Sequence, residues 1–153
     1  MTVPDRRQEA IRGLEGAFAE LLGEVRRVYA QAAATVSPGM LPGTYKVLSL
    51  IERRGSTTVS GLAEQLAADK GQVSRSVTDL EELGLVRRVA DESDGRIKLI
   101  TVTSEGATRL AAARARYEGL LTRVVETWPV DDIERVTQLL ESLARATSPG
   151  ASA

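Results

Sequence analysis

The chain contains neither cysteine nor histidine. That excludes disulfides, thiolate chemistry, imidazole acid–base catalysis and the usual zinc and iron ligand sets. A metal site built from carboxylates alone would need spacing such as that of an EF-hand, and none occurs. Nucleophile elbows, Gly-rich phosphate loops and paired-carboxylate motifs are also missing, which argues against an enzyme and against a bound cofactor. No run of ~18 apolar residues is present. The opening stretch MTVPDRRQEAIRG lacks the apolar centre of a signal peptide, so a cytoplasmic protein without a membrane segment is expected. Neither sign of charge dominates: 20 Lys and Arg against 21 Asp and Glu leave a net charge of −1. Any nucleic-acid site must therefore come from local charge placement.

What is there is ordinary globular material. Hydrophobic residues make up 42% and charged residues 27% of 153 positions, enough for one domain that buries roughly 70% of its unfolded surface.

Apolar residues at Ile11, Leu14, Phe18, Leu21, Leu22, Val25, Val28 and Tyr29 recur in steps of three and four and mark a long helix over about 10–33. Pro38, Gly39, Pro42 and Gly43 interrupt it. A shorter helix follows over 44–55, with Tyr45, Leu48 and Ile51 inward and Gly55 beyond its end. STTV (56–59) favours a short strand. Residues 60–69 read as a helix capped by Ser60, and 69–85 as another capped by Asp69, with Gln72 at the third position. Val73, Val77 and Leu80 face inward and Gly84 closes it. Two strand-like runs, 85–90 and 96–103, flank five turn residues and predict a hairpin. A long helix over 104–128 ends at Pro129. Asp131 and Glu134 make a capping box for a last helix to 146, and a disordered tail is expected over 147–153. The fold class is therefore mainly α with a small β-hairpin wing, a winged helix-turn-helix (about 44–103) flanked by long terminal helices.

On the 70–83 helix, Gln72, Ser74, Arg75 and Thr78 turn away from Val73. Gly71 leaves room for close approach, and Lys70 in the first turn reaches outward. Hydrogen-bonding and cationic groups thus occupy the amino-terminal half, with Glu81 and Glu82 at the far end; Asp79 is placed to orient Arg75. Such a face suits the DNA major groove, where Arg pairs with guanine and Gln with adenine. A merely solvated helix face looks the same when taken alone. The hairpin tip adds Arg96, with Asp94 able to hold its guanidinium and Gly95 shaping the turn. An arginine there suits the narrow minor groove. Arg87, Arg88 and Lys98 on the strands can meet phosphates. An isolated surface turn with an ordinary Asp–Arg pair is the plainer alternative.

The residues Asp94, Arg96, Leu99, Val102 and Thr103 match the wing signature of MarR-type (multiple antibiotic resistance regulator) proteins. The stretch VSGLAEQLAADKGQVSRSVTDLEELGLVRR (59–88) resembles that family's helix-turn-helix. Helix order agrees over about residues 8 to 146, while specific motifs occupy 59 to 103. The resemblance implies a homodimer that binds pseudo-palindromic double-stranded DNA, usually as a repressor. Gln72, Ser74, Arg75 and Thr78 would then face the major groove and Arg96 the minor groove, with Lys70, Arg88 and Lys98 as further DNA contacts able to meet phosphates and Asp94 holding Arg96.

The terminal helices (about 8–34 and 104–146) carry more apolar surface than a small winged helix needs. They either complete one core or mate with a second chain, and the resemblance favours dimerisation. It also implies a possible small anionic or phenolic effector. Phe18, Tyr29, Tyr45, Tyr117 and Trp128 are candidate pocket walls, although ordinary packing explains each of them. Without Cys or His, thiol redox sensing and histidine-based zinc sensing are set aside. The competing function is a winged-helix protein-interaction module without DNA binding. Such a face should carry exposed apolar anchors rather than Arg75 and Arg96.

Overall fold

The computed structural model of the protein describes the backbone of residues 3–147 and the side chains of 6–146. Seven helices and one hairpin follow each other among the described residues. They are α1 (Val3–Val36), α2 (Pro42–Arg54), α3 (Val59–Leu66), α4 (Lys70–Glu82), β1 (Val86–Ala90), β2 (Lys98–Val102), α5 (Ser104–Ala115), α6 (Leu120–Val125) and α7 (Val130–Thr147). No described helix is long and apolar enough to cross a membrane. The chain divides into two units, Met1–Arg116 and Tyr117–Ala153.

The first unit owns the core. Leu48 and Ile51 of α2, Leu62 of α3, Val77 and Leu80 of α4, Leu85, Ile100 of β2 and Leu110 of α5 are all fully buried. Their spacing on each helix supplies one apolar face, and these faces converge. The last turns of α1 join through Ala32, Ala33 and Val36. Tyr29 meets Tyr45 edge to face at 5.6 Å, and Lys46 lies over the Tyr29 ring. Arg109 bonds Glu105 and reaches the Val36 carbonyl at the end of α1, while Arg114 pairs with Glu52 of α2 at 2.7 Å. These contacts seat α5 on α1 and α2.

The sheet is one antiparallel hairpin with Val86 opposite Val102, Arg88 opposite Ile100 and Ala90 opposite Lys98. Thr57 adds a single antiparallel bridge to Ile100, so the stretch 56–59, expected as a short strand, contributes one bridging residue and no strand of its own. The wing root is tied down by Thr103, whose amide donates to Leu85 O at 3.0 Å and whose hydroxyl donates to Gly84 O at 2.7 Å. The same hydroxyl accepts from the Gly106 amide and so caps α5. Gly106 is required there, because a methyl group would overlap the Leu85 carbonyl oxygen and sit 2.8 Å from Val102 Cγ1.

Several expectations need correcting. α1 begins at Val3, ahead of the apolar periodicity, and its early turns carry the polar helix formers Arg6, Arg7, Gln8 and Glu9, all exposed to water. α2 starts at Pro42, which occupies the first turn instead of ending a loop. Thr58, not Ser60, caps α3, accepting from the Gly61 amide at 3.1 Å. The wing loop holds seven residues (91–97), because Arg96 and Ile97 belong to the turn and not to β2. The helix expected over 104–128 is broken after Ala115, where Gly119 takes φ 73, a left-handed conformation that favours glycine. Asp131 lies inside the first turn of α7 and does not cap it; there it and Asp132 face the helix dipole favourably. α7 runs through Thr147, one residue into the expected tail, and 148–153 lie outside the described residues.

In the second unit no described apolar side chain is buried. Of the eighteen large apolar side chains left exposed among the described residues, fifteen belong to α1 or to residues 120–143. They include Leu14, Phe18 and Leu21 on α1, and Leu121, Leu139 and Leu140 further along. Those helices carry apolar side chains that are exposed among the described residues.

Candidate nucleic-acid interface

α3 and α4 form the two helices of a helix-turn-helix. Between them Ala67 turns the chain in a left-handed conformation, φ 47 and ψ 42, while its amide and that of Ala68 satisfy the last carbonyls of α3. Asp69 then caps α4, its carboxylate accepting from the Gln72 amide at 2.9 Å. Burial of Val73, Val77 and Leu80 fixes the rotation of α4. Its opposite face exposes Lys70, Gly71, Gln72, Arg75 and Thr78, with Ser74 half-buried. Gln72, Ser74, Arg75 and Thr78 thus share the face that the periodicity turned away from Val73, and Lys70, off that arc, is exposed beside it in the first turn. Arg75 has no carboxylate within ion-pair distance among the described residues, so the expected pairing with Asp79 is not made. Its guanidinium is free to reach outward.

The wing tip is organised by two aspartates. Asp91 accepts from the Ser93 amide and hydroxyl and from the Asp94 amide. Asp94 accepts from the Arg96 amide at 3.1 Å and from its guanidinium through Nε at 3.1 Å and Nη2 at 3.3 Å. Arg96 is therefore aimed and yet 93% exposed at its side chain. The Arg96 guanidinium, then its amide, holds the Asp94 carboxyl below its ordinary value. The Ser93 hydroxyl, then the Ser93 and Asp94 amides, does the same for Asp91. Gly95 has no positive φ and open space around it, so the carboxylates shape this turn and the glycine does not.

On the strands, Arg87 turns to the far side and donates to Thr101 Oγ1 at 3.4 Å. Arg88 turns inward and meets Thr78 and Glu81 of α4. Lys98 is exposed and shares with Lys70, Ser74 and Arg88 the border of a cleft of about 560 Å³ between α4 and the wing. Three cations from three elements meet there beside the amino-terminal end of α4, where the helix dipole also favours anions. A second hollow of about 410 Å³ lies beside Gln72, Arg75 and Thr78 and is bordered by Leu41 and Thr44 at the start of α2. Sequence reasoning missed these two residues by treating 35–43 as a simple break; Pro42, suited to a first helical turn, was the available signal.

Comparison with known proteins decides the lineage. Residues 39–97 match the model of the MarR family. The chain is 30% identical to CouR from Rhodococcus jostii RHA1, solved bound to p-coumaroyl-CoA, with a TM-score of 0.68 over 86% of this chain and 91% of that one. This chain belongs to the MarR family. As a member it is a DNA-binding transcriptional regulator of the winged-helix class. Its sequence is also 28% identical over 128 residues to YxaD of Bacillus subtilis strain 168, an uncharacterised HTH-type transcriptional regulator, covering 83% of this chain and 90% of that protein. The fold is shared with FabT of Streptococcus pneumoniae, solved in complex with DNA, at a TM-score of 0.79 and 15% identity over 88% of this chain and 95% of that one.

Proposed function

We propose that this MarR-family protein is a homodimeric repressor of a pseudo-palindromic operator, released from DNA by a small organic effector. The observation that carries the reading is the joint presentation of two readers. α4 exposes Gln72, Arg75 and Thr78, and the wing loop aims an almost fully exposed Arg96 through Asp94. In this reading Gln72, Ser74, Arg75 and Thr78 address major-groove base edges. Arg96 enters the adjacent minor groove, where negative potential is focused. Lys70 and Lys98 meet phosphates, adding affinity without selectivity.

The winged-helix core (about 44–103) is the reading head, and the helices at about 8–34 and 104–146 pair two chains. The exposed apolar side chains of α1, and separately those of α6 and α7, support the pairing, because apolar stripes left in water mark an interaction face. Two-fold symmetry sets two recognition helices one DNA turn apart, roughly 34 Å. The CouR complex supports an organic effector, and in this reading the protein acts on DNA in the cytoplasm.

Selection from a random double-stranded DNA pool tests the reading, with wild type and Arg96→Ala run in parallel. The expected product is an inverted repeat with ~10 bp between half-site centres, and its A·T-rich flanks lose their preference in the variant. Wild type that enriches nothing at low salt would overturn the reading. For the effector, p-coumaroyl-CoA and a panel of aromatic acids are expected to include at least one compound that raises the melting temperature and releases the selected DNA. A flat response across the panel would count against release by this class.

A further inference from the structure

Arg88 lies on a wing strand beside Lys70 and Lys98, where a third phosphate contact would be expected, but its guanidinium is engaged elsewhere. Arg88 stands opposite Ile100 in the hairpin register, and Ile100 is fully buried, so both side chains share the hairpin face turned toward the body of the unit. Arg88 Nη2 lies 3.5 Å from Thr78 Oγ1, and Nε lies 3.6 Å from Glu81 Oε2. The Thr78 hydroxyl gives its own proton to the Ser74 carbonyl at 3.1 Å, so it meets Arg88 as an acceptor. Thr78 and Glu81 are three residues apart and neighbours on one helix face. Arg88 therefore spans the outer edge of α4.

This is the wing's own connection to the recognition helix. The root is fixed through Thr57, Gly84, Leu85 and Thr103. Beyond it, among the described residues, no other side chain of β1, β2 or the 91–97 loop makes a hydrogen bond or ion pair with α4. The pair is about one-third exposed on each side, 36% and 38%, so it adds little to global stability. It bears instead on the angle between two elements that must reach two grooves at once.

We propose that Arg88 is a positioning residue that locks the wing to the recognition helix through Thr78 and Glu81 and is not a phosphate contact. This rests on the DNA-binding reading for its consequence, though not for its geometry. The two roles predict opposite signs for one substitution. If Arg88 met a phosphate, Glu81→Gln would strengthen DNA binding, because it removes a negative charge near a polyanion and frees the guanidinium. If Arg88 is a tether, Glu81→Gln weakens binding as Arg88→Gln does, and the double variant is no worse than either single one.

The test uses the full-length chain and the DNA site selected by wild type. The expected result is a two- to fivefold loss of affinity in each single variant, about the range of a partly exposed ion pair. The salt dependence of binding should stay at the wild-type slope. A gain in affinity for Glu81→Gln, or a slope reduced by about 0.9 in Arg88→Gln, overturns the proposal. A second arm needs no DNA. Because the chain has no cysteine, nitroxides at Glu92→Cys and Glu82→Cys, diluted with unlabelled chain, report the distance between wing and helix directly. Arg88→Gln should broaden that distribution, and an unchanged distribution overturns the tether. Should wild type select no DNA, the regulator reading fails alone and the distance arm still decides the tether.

Discussion

Gly106→Ala would place a methyl group against the wing root, and its cost can be worked from the structure. The added carbon would overlap the Leu85 carbonyl oxygen and lie 2.8 Å from Val102 Cγ1 and 3.0 Å from Leu85 C. Ordinary carbon contacts need ~3.5 Å, so α5 and the start of β1 must part by roughly 1 Å. That movement stretches the Thr103 amide bond to Leu85 O and the Thr103 hydroxyl bond to Gly84 O. Two hydrogen bonds at about 1 kcal/mol each and an overpacking strain of about 1–3 kcal/mol are set against a gain of about 0.5–1 kcal/mol in helix propensity. The net expectation is a loss of roughly 2–4 kcal/mol. Urea unfolding at fixed protein concentration measures it, with an unchanged slope showing that stability alone has moved. Gly43→Ala is the control: it lies in α2 with nothing within 4 Å of an added Cβ, so it should be neutral or slightly stabilising. If Gly106→Ala proved as harmless as the control, the close approach at the wing root would be refuted.

Other expectations follow from the same geometry. Ala67→Gly should stabilise by about 0.5 kcal/mol, because relief of left-handed strain exceeds the added chain entropy; a destabilised variant in thermal unfolding would contradict that. Leu14→Glu or Leu140→Glu, each placing a charge on an exposed apolar stripe, should yield monomers at micromolar concentration by light scattering, and intact dimers would argue against pairing through those helices. The pH dependence of the wing loop has a definite sign. Asp91 and Asp94 are depressed in the folded chain, so the order they supply is complete above the ordinary aspartate value near ~4 and is lost as pH falls through their lower values. Amide shifts of Ser93 and Arg96 should therefore stay flat from neutral pH down to that point and move below it; a transition near neutrality would be inconsistent. Lys98→Ala should lower the salt slope of DNA binding by about 0.9 without altering the selected sequence, and a changed sequence preference would rule out a pure phosphate contact.

The sequence by itself determined whatever depends on neighbours a few residues apart. The Asp69 cap, the Gly55 and Gly84 helix ends, the inward Val73, Val77 and Leu80 and the Asp94–Arg96 grip all follow from hydrogen bonds and periodicities within about one helical turn. For that reason the reading face of α4 was legible before any coordinates. Local competition hid some details. Thr58 and Ser60 are both good caps two residues apart, and Gly119 inside a strong helical pattern reads as a tolerated defect until its φ is seen. Only the tertiary structure decided the rest, because contacts between distant segments leave no periodic trace. It showed that Gly106 must be a glycine because Leu85, 21 positions earlier, passes against it. It turned Arg88 from a free cation into the partner of Thr78 and Glu81. It also separated the apolar stripes that build the core from those on α1, α6 and α7 that are exposed among the described residues. Periodicity marks a face as apolar, but only packing reveals whether the chain itself supplies the surface that covers it.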